Sequence, residues 1–334
     1  METRKLTNYI ITQTRTDAIG NVQEGILPFL KAKGYKQINI KWFKFMPLSH
    51  LWELICTPLL ALRLKKNDNV LSCNSKSIYT HFLPYFTKAN LFTIHYHFDD
   101  HVFGLHKLSF FNYEKLFKQW HVIFTNTNAK EFAENVHNCE SSSVLPLGID
   151  RRRFFYSGRT KRKSSLLYVG SFGHRKNINN MLRAVAEVKK LIPDITFTIC
   201  NGSFGTFKQI APLIYELGIK NEVIYLKNAT LSRLIQEYRE NEVFLFPTLV
   251  EGFGLPLIES VSCGCKVVTS DLPEHREVTG NLETYVDPKS PDDIAKGIIK
   301  ALKRKNINQQ HTEKYTWKNT SRKIYKITSK HPPI

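Results

Sequence analysis

The stretch VFLFPTLVEGFGLPLIESVSCG, residues 243–264, contains the strongest indications of fold in this sequence. Its apolar beginning, 243–247, is typical of a buried strand. A loop with two glycines follows, Pro256 suits the first turn of a helix, and Gly264 suits its end. The stretch therefore predicts a strand, a loop and a helix in succession, which is the repeating unit of a parallel α/β sheet.

Short apolar runs alternate with amphipathic stretches in the same way along the whole chain of 334 residues. This alternation predicts two Rossmann-like, doubly wound α/β domains. Parallel sheets bind ligands at the carboxyl ends of their strands, so two such domains facing each other would place a cleft between two sets of loops. The predicted strands are 8–14, 37–42, 70–73, 91–95, 122–125 and 143–146 in the first half, and 166–169, 195–200, 223–226, 243–247, 266–270 and 284–286 in the second.

The polar and strongly basic stretch at 151–165 is predicted to be a linker or an exposed edge between the two halves. The predicted organisation is therefore a first domain over 1–150, a second over 151–311, and a C-terminal helix over 312–334. Three apolar residues would anchor that helix: Trp317, Ile324 and Ile327.

Basic side chains outnumber acidic ones by 48 to 29, which gives a formal net charge of +19. The excess is concentrated in residues 151–334, which hold 31 basic and 17 acidic side chains. The expected partner is therefore anionic: a phosphate ester, a nucleic acid or an acidic membrane surface. The apolar content of 42% and charged content of 23% are ordinary, and they exclude a disordered or collagen-like chain.

Six scattered cysteines form no CxxC pair and no secretory leader begins the sequence, so a reducing, cytoplasmic location is predicted. No apolar run reaches the ~18 residues of a membrane-spanning helix. The longest apolar run, 51–64, has two interpretations. It is either a buried helix or an interfacial helix that rests on anionic lipid.

Two carboxylates in the first stretch, Glu251 in the loop and Glu259 in the helix, can both border the strand ends. The alternatives are a solvated loop charge for Glu251 and a favourable interaction with the helix dipole for Glu259. The glycines at 252 and 254 permit a backbone that turns its N–H groups toward a ligand.

A second stretch, LLYVGSFGHRKNINNML at 166–182, leads from a buried strand through a glycine loop into a helix that Asn177 can cap. Free N–H groups at such a helix start attract anions, and Arg175 and Lys176 beside them would suit a diphosphate. The spacing matches neither the dinucleotide nor the P-loop fingerprint. A solvated turn with two surface cations is the alternative interpretation.

Histidines follow a third strand in LFTIHYHFDDHVFG, residues 91–104. The alternation along a strand would put His95 and His97 on the same face, and a zinc site needs about four ligands in tetrahedral geometry. A metal site is therefore an open alternative for this run. Its ligands would come from His95, His97, Asp99, His101 and His106.

The E-x7-E pattern in EGFGLPLIE resembles the signature of retaining GT-B glycosyltransferases, specifically glycosyltransferase family 4 (group 1). Four further stretches are similar to that family: LPLGID (145–150), VGSFGHRKN (169–177), SCGCKVVTSDLPEHREVTG (262–280) and YVDPKSPDDIAKGI (285–298). The similarity is strong over residues 140–305, while the N-terminal half agrees in outline only. The resemblance implies a GT-B fold, with an acceptor-side first domain, a donor-binding second domain and a C-terminal helix that crosses back to the first.

The resemblance also implies the roles of individual residues in the second domain. Glu251 would lie beside the donor sugar, and Glu259 would hold the ribose hydroxyls of the nucleotide. Arg175 and Lys176 would neutralise the leaving diphosphate, where negative charge develops. The remaining donor-binding positions are Gly170 and Ser171 in the phosphate loop, and the backbone N–H groups of Gly252, Phe253, Gly254 and Leu255. Many relatives carry an arginine at the position of Ser171, so Arg175 is expected to supply the missing cation.

In the first domain, His95 matches the strand-end histidine of the family, which is expected near the donor sugar and acceptor. The segment IGNVQE (19–24) resembles the family's glycine turn after the first strand. Gly20 and Asn21 would then border the donor phosphate or the acceptor, and a plain helix start is the alternative.

The activity that the resemblance implies is transfer of a hexose from a UDP- or GDP-linked sugar to an acceptor hydroxyl, with retention and without metal or other cofactor. The acceptor would be a glycan or a protein- or lipid-linked group, and the enzyme would be cytoplasmic, docking on the inner face of an anionic membrane. The alternatives are a phosphorylase or disaccharide synthase on the same scaffold, or a basic nucleic-acid-binding protein. No RNP-like run, zinc-finger spacing or helix-turn-helix pattern supports a nucleic-acid partner.

Overall fold

The computed structural model describes residues 7–13, 18–40, 46–75, 80, 82–96, 113–158, 160–201, 206–304 and 310–330. The chain divides into two compact units. Unit 1 comprises Met1–Gly148 together with Tyr315–Ile334, and unit 2 comprises Ile149–Lys314.

Unit 1 contains a six-stranded sheet in the order β2-β1-β3-β4-β5-β6, and all of its paired strands are parallel. The order reverses direction between β1 and β3, which is where a doubly wound sheet opens a crevice for ligands. The strands are β1 (Asn8–Gln13), β2 (Lys36–Ile40), β3 (Asn69–Ser72), β4 (Asn90–His95), β5 (His121–Phe124) and β6 (Ser142–Val144). The helices are α1 (Ala18–Lys31), α2 (Met46–Ala61), α3 (Tyr113–Gln119) and α4 (Thr127–His137).

The C-terminal helix α11 (Trp317–Lys330) belongs to unit 1 and packs against α1. The indole of Trp317 lies so close to Gly25 that a Cβ there would overlap it. Farther along the helix, Ser321 Oγ donates a 3.3 Å hydrogen bond to the carbonyl of Ile26, and Tyr35 and Thr328 share a short one. A glycine in α1 thus creates the space in which the C-terminal helix is held.

Unit 2 contains a second six-stranded sheet in the order β12-β11-β10-β7-β8-β9, again with every pair parallel. Its direction reverses between β7 and β10. The strands are β7 (Arg162–Val169), β8 (Thr196–Asn201), β9 (Val223–Lys227), β10 (Asn241–Phe246), β11 (Lys266–Ser270) and β12 (Thr284–Val286). The helices are α5 (Ile178–Leu191), α6 (Ala211–Glu216), α7 (Leu231–Glu240), α8 (Leu255–Ser262), α9 (Pro273–Thr279) and α10 (Pro291–Lys303).

The predicted fold class, two Rossmann-like parallel α/β sheets, is confirmed. The basic stretch 151–165 is not entirely a linker, however, because its last residues begin β7. These polar residues are held by acids of unit 2: Arg162 pairs with Glu237 at 2.6 Å, and the N–H of Ser164 donates to Glu242 at 3.0 Å. Ion pairing replaces apolar burial there, which is why an apolar pattern did not reveal the start of the strand.

The apolar run at 51–64 is a helix, α2, followed by a turn. The buried-helix interpretation accounts for only one of its faces, because Ile55, Leu59 and Leu62 are exposed. Among the described residues, no helix is both long and apolar enough to cross a membrane.

Candidate functional site

The site in unit 2 is built from the loops that follow β7 and β10, the two strands between which the sheet reverses direction. The loop after β7 contains a short 3₁₀ turn, His174–Lys176, and two contacts hold it to the loop after β10. The N–H of Leu249 donates to the carbonyl of Arg175 at 2.8 Å, and Asn177 Nδ2 donates to the carbonyl of Pro247 at 2.8 Å. Residues far apart in sequence therefore meet at one edge of the sheet.

Glu251 and two cations form the charged centre of this site. Lys176 Nζ lies 2.5 Å from Glu251 Oε2, and Arg175 Nη1 lies 3.2 Å from the same oxygen. Burial alone would raise the pKa of Glu251, but the charges of Lys176 and Arg175 and the hydrogen bond from Lys176 lower that pKa to about 2. The carboxylate is therefore ionised throughout the neutral range.

Lys176 is itself buried, and its Nζ lies 4.9 Å from the centre of the Phe246 ring. Burial lowers the pKa of Lys176, the charge of Glu251 opposes that shift, and the charge of Arg175 adds to it. Two cations share one carboxylate, so the cluster carries net positive charge. Such a cluster suits an anionic ligand, because an anion would neutralise the surplus cation in a poorly solvated place.

Asn177 occupies the position before α5, as predicted, but its side chain does not cap that helix. The residue is in the left-handed region at φ 60°, and Nδ2 instead donates to the carbonyls of Pro247 and Pro288 at 2.8 and 2.6 Å. The capping prediction was wrong because a capping residue normally has an extended backbone, whereas Asn177 is left-handed and its side-chain amide is held by two tertiary carbonyls. Asn177 thus links the loop after β7 to the loops after β10 and β12.

The second loop runs directly into α8, with Gly254 at φ +76° and Pro256 in the first turn, as predicted. Gly264 at φ +80° follows the helix end. Gly252, Phe253 and Gly254 are buried, while Leu255 is half-buried. The first N–H groups of a helix have no intrahelical acceptor, so this start offers donors to an anion or a hydroxyl.

Glu259, in the middle of α8, contacts a residue that the sequence analysis did not single out. The buried Tyr238 donates a 2.9 Å hydrogen bond from its hydroxyl to Glu259 Oε2. Burial raises the pKa of Glu259 to about 7, and the bond from Tyr238 opposes that rise only in part. The pKa of Glu251 is thus lowered and that of Glu259 is raised, although the two residues belong to one sequence pattern.

His275, in α9, is a second residue that the sequence analysis missed. Thr269 Oγ1 donates to the carbonyl of Phe246 at 3.0 Å and lies 2.8 Å from His275 Nδ1, so the imidazole donates to the threonine oxygen. Burial lowers the pKa of His275 to about 4, and the imidazole is neutral at pH 7. Its electrostatic coupling to Glu251 could have been inferred only from the folded chain.

The predicted residues of unit 1 lie in α1 and β4. Gly20 and Asn21 belong to the first turn of α1, with Gly20 buried and Asn21 exposed. His95 ends β4, is fully buried, and has Nδ1 2.9 Å from Ser75 Oγ. The other residues of the metal alternative, His97, Asp99, His101 and His106, lie outside the described residues.

Unit 1 also contains a buried polar network at the carboxyl ends of β1 and β3 that the sequence analysis missed. Gln13 Nε2 donates to Glu53 at 2.6 Å, and Asn74 Nδ2 donates to Gln13 Oε1 at 3.1 Å. The network lies where the unit 1 sheet reverses direction.

In the part of the chain that the structure describes, no three His, Cys, Asp or Glu side chains are grouped to hold a metal ion.

The family model described as "Glycosyl transferases group 1" matches residues 149–318. The O-antigen chain mannosyltransferase B of Escherichia coli is 30% identical over 165 residues, covering 46% of this chain and 42% of the relative. An uncharacterised glycosyltransferase of Methanocaldococcus jannaschii is 27% identical over 175 residues, covering 48% and 44%. The aligned part therefore spans less than half the length of these curated relatives.

A solved structure, the sucrose-phosphate synthase of Thermosynechococcus elongatus, resembles the fold with a TM-score of 0.78. It covers 97% of this chain and 98% of its own at 13% identity, so the likeness concerns the fold alone. The family match covers half of the chain and contains the whole cluster of Arg175, Lys176 and Glu251. The chain belongs to the group 1 glycosyltransferase family.

Proposed function

We propose that the protein is a retaining glycosyltransferase of family 4 that transfers a hexose from a UDP- or GDP-linked sugar to an acceptor hydroxyl. The observation that carries the proposal is the convergence of Lys176, Arg175 and Glu251 on one another at the β7–β10 strand ends. Two cations and one carboxylate are what a departing diphosphate and a developing positive charge on a sugar require.

In this proposal Arg175 and Lys176 bind the diphosphate, supported by the N–H groups of the α8 start and by the loop at Gly170 and Ser171. Glu251 lies beside the sugar, and Glu259 accepts hydrogen bonds from the ribose. Unit 2 corresponds to the donor-binding domain. The acceptor is assigned to unit 1, with His95, Gly20 and Asn21 as its candidate residues.

The reaction breaks the bond between the anomeric carbon and the diphosphate oxygen. The acceptor oxygen forms its bond to that carbon on the same face of the sugar, and its proton passes to the departing phosphate oxygen. No side chain acts as a covalent nucleophile and no metal takes part, because the two cations and the backbone N–H groups carry the phosphate charge.

The proposed acceptor is a glycan or a protein- or lipid-linked sugar. The O-antigen chain mannosyltransferase B of Escherichia coli, whose name describes mannose transfer on an O-antigen chain, supports a glycan acceptor. The net charge of +19 supports a peripheral position on the inner face of an anionic membrane.

A thermal-shift panel of UDP, GDP, ADP and their sugars tests the donor class. A nucleotide diphosphate at 100 times its dissociation constant should stabilise the protein by about 2.7 kcal/mol. Lys176→Ala is the matched variant and should lose that shift for every nucleotide diphosphate. If no nucleotide diphosphate stabilises the wild-type protein, the proposal is wrong.

The stereochemical part has its own test, because NMR of the first product formed reports the anomeric configuration directly. The proposal expects the configuration of the donor to be kept. Inversion would overturn the retaining mechanism but leave the donor class intact.

A further inference from the structure

Helix α2 presents an apolar face to solvent on the outside of unit 1. Its exposed side chains are Trp52, Ile55, Leu59 and, in the following turn, Leu62, with 40%, 52%, 60% and 82% of their surface exposed. Burying leucine and isoleucine normally stabilises a protein, so an exposed row of them indicates a surface with a partner.

The large apolar side chains that are exposed lie on one side of the helix. At about 100° per residue, positions 52, 55, 59 and 62 fall within an arc of about 80°. The buried side chains of the same helix, Glu53, Thr57 and Leu60, lie on the other side. Helix α2 thus packs on unit 1 through one face and presents large apolar side chains on the opposite face.

The short 3₁₀ turn Leu83–Tyr85 is in contact with α2 and extends the apolar surface. Phe82, Tyr85 and Phe86 are 36%, 53% and 52% exposed. We call the exposed residues of the two elements the α2 surface: Trp52, Ile55, Leu59, Leu62, Phe82, Tyr85 and Phe86. Its large aromatic and aliphatic side chains are those that enter the boundary between lipid headgroups and acyl chains.

Exposed cations border the α2 surface. Arg63, Lys65 and Lys66 follow the helix directly, and Lys88 follows the aromatic turn; all four are exposed. Lys115 Nζ lies 4.7 Å from the centre of the Tyr85 ring. Both acids within 52–68 and 82–88, Glu53 and Asp68, are buried, and Asp68 accepts the N–H of Lys65 at 2.9 Å. The charge presented to solvent in these two ranges is therefore positive.

We infer that the α2 surface docks the protein on an anionic lipid bilayer, with the apolar side chains inserted and the cations at the headgroups. A second copy of the chain would bring the same cations against these, and like charges repel. Anionic lipid complements both the apolar and the cationic part. This inference rests on the proposed membrane association and specifies that unit 1 makes the contact.

Cosedimentation with vesicles of phosphatidylcholine and phosphatidylserine tests the apolar part. The variant Leu59→Gln/Leu62→Gln keeps good helix formers at both positions, and its matched control is Leu191→Gln/Leu231→Gln in unit 2, where both leucines are also exposed. The vesicle partition coefficient should fall at least about tenfold for the α2 variant and stay near wild type for the control.

The cationic part has a charge-matched pair of variants. Arg63→Gln/Lys65→Gln/Lys66→Gln and Lys296→Gln/Lys300→Gln/Lys303→Gln each remove three exposed cations, the second set from α10. The first should weaken binding at least about tenfold and the second much less, with pure phosphatidylcholine vesicles as the uncharged reference. Equal losses would show diffuse attraction by net charge and overturn the inference.

Nucleotide binding separates this inference from the proposed activity. The variants Leu59→Gln/Leu62→Gln and Arg63→Gln/Lys65→Gln/Lys66→Gln should both keep the wild-type thermal shift with UDP or GDP. Neither variant changes a residue of the Arg175–Lys176–Glu251 cluster. A wild-type protein that shows the shift but does not sediment with anionic vesicles refutes the docking surface and leaves the transferase proposal standing. A wild-type protein that sediments with anionic vesicles but shows no thermal shift with UDP or GDP refutes the transferase proposal and leaves the docking surface standing.

Discussion

The charge on Glu259 should lower the free energy of unfolding of the ligand-free protein at neutral pH, and Glu259→Gln should therefore raise it. The Glu259 carboxylate, in α8, accepts a hydrogen bond from Tyr238, in α7, and burial raises the pKa of Glu259 from 4.5 to about 7. A carboxyl group with a raised folded-state pKa contributes stability at low pH that is lost as the pH rises through the folded value. The loss begins near the unfolded pKa and is complete slightly above pH 7.

The magnitude follows from the shift. A difference between 4.5 and about 7 corresponds to about 3 kcal/mol at 1.36 kcal/mol per unit. Glutamine removes the charge and still offers an oxygen to the hydroxyl of Tyr238, so most of that loss should be recovered. We expect Glu259→Gln to raise the free energy of unfolding by about 1–3 kcal/mol at pH 8, and by about 1 kcal/mol or less at pH 5.

Glu251→Gln is the matched variant and should have the opposite effect. Its pKa is lowered to about 2, so Glu251 contributes stability above pH 4.5 that is lost as the pH falls toward 2. Glutamine would leave the buried Lys176 without a carboxylate, at a cost of about 3 kcal/mol near neutral pH.

Urea unfolding of the wild-type protein and both variants at pH 5 and pH 8 measures these differences. Nucleotide titrations complete the test, because Glu259→Gln should bind nucleotide diphosphates more weakly while being more stable. Destabilisation by Glu259→Gln at pH 8, or a gain of the same size at both pH values, would refute the assignment of a costly buried charge.

Other substitutions and conditions give independent tests. Lys176→Ala should weaken binding of the donor and of free nucleotide diphosphate by about the same factor, measured by calorimetry, because the lost contact is to phosphate; a loss limited to the donor sugar would contradict this. Glu251→Ala should lower turnover by about 10²-fold, or about 2.7 kcal/mol, with nucleotide affinity near wild type in the same kinetic and binding assays. Transfer activity should survive EDTA, and loss of activity that zinc restores would revive the metal site at His95 and His97. Gly25→Ala should lower the melting temperature even though alanine favours helices, because its Cβ would overlap Trp317; a more stable variant would show that the C-terminal helix is not held as described.

The local elements of the fold could be predicted from the sequence. Strands covered on both faces are nearly continuous apolar runs, so a short window such as 243–247 identifies them without knowledge of the partner strands. Turn chemistry is equally local, since Gly254 and Gly264 occupy left-handed positions that few other residues tolerate. The start of β7 was missed because ion pairs, not apolar side chains, hold it.

The candidate site could be predicted in its residues but not in its contacts. Sequence patterns pointed to Arg175, Lys176, Glu251 and Glu259 one stretch at a time. That Lys176 and Glu251 touch across 75 positions follows from strand order, because β7 and β10 are neighbours only in the folded sheet.

The sequence by itself determined the alternation of strands and helices and the glycine turns of this protein, apart from the start of β7, because these features depend on interactions within a few residues. Only the tertiary structure decided the surroundings of individual side chains. It set the pKa values of Glu251 and Glu259, kept His275 neutral, gave Asn177 two carbonyl acceptors in other loops, and left one face of α2 exposed. Burial, pKa and exposure depend on what distant segments bring to a residue. The sequence pattern of one segment does not show which distant segments will pack against it.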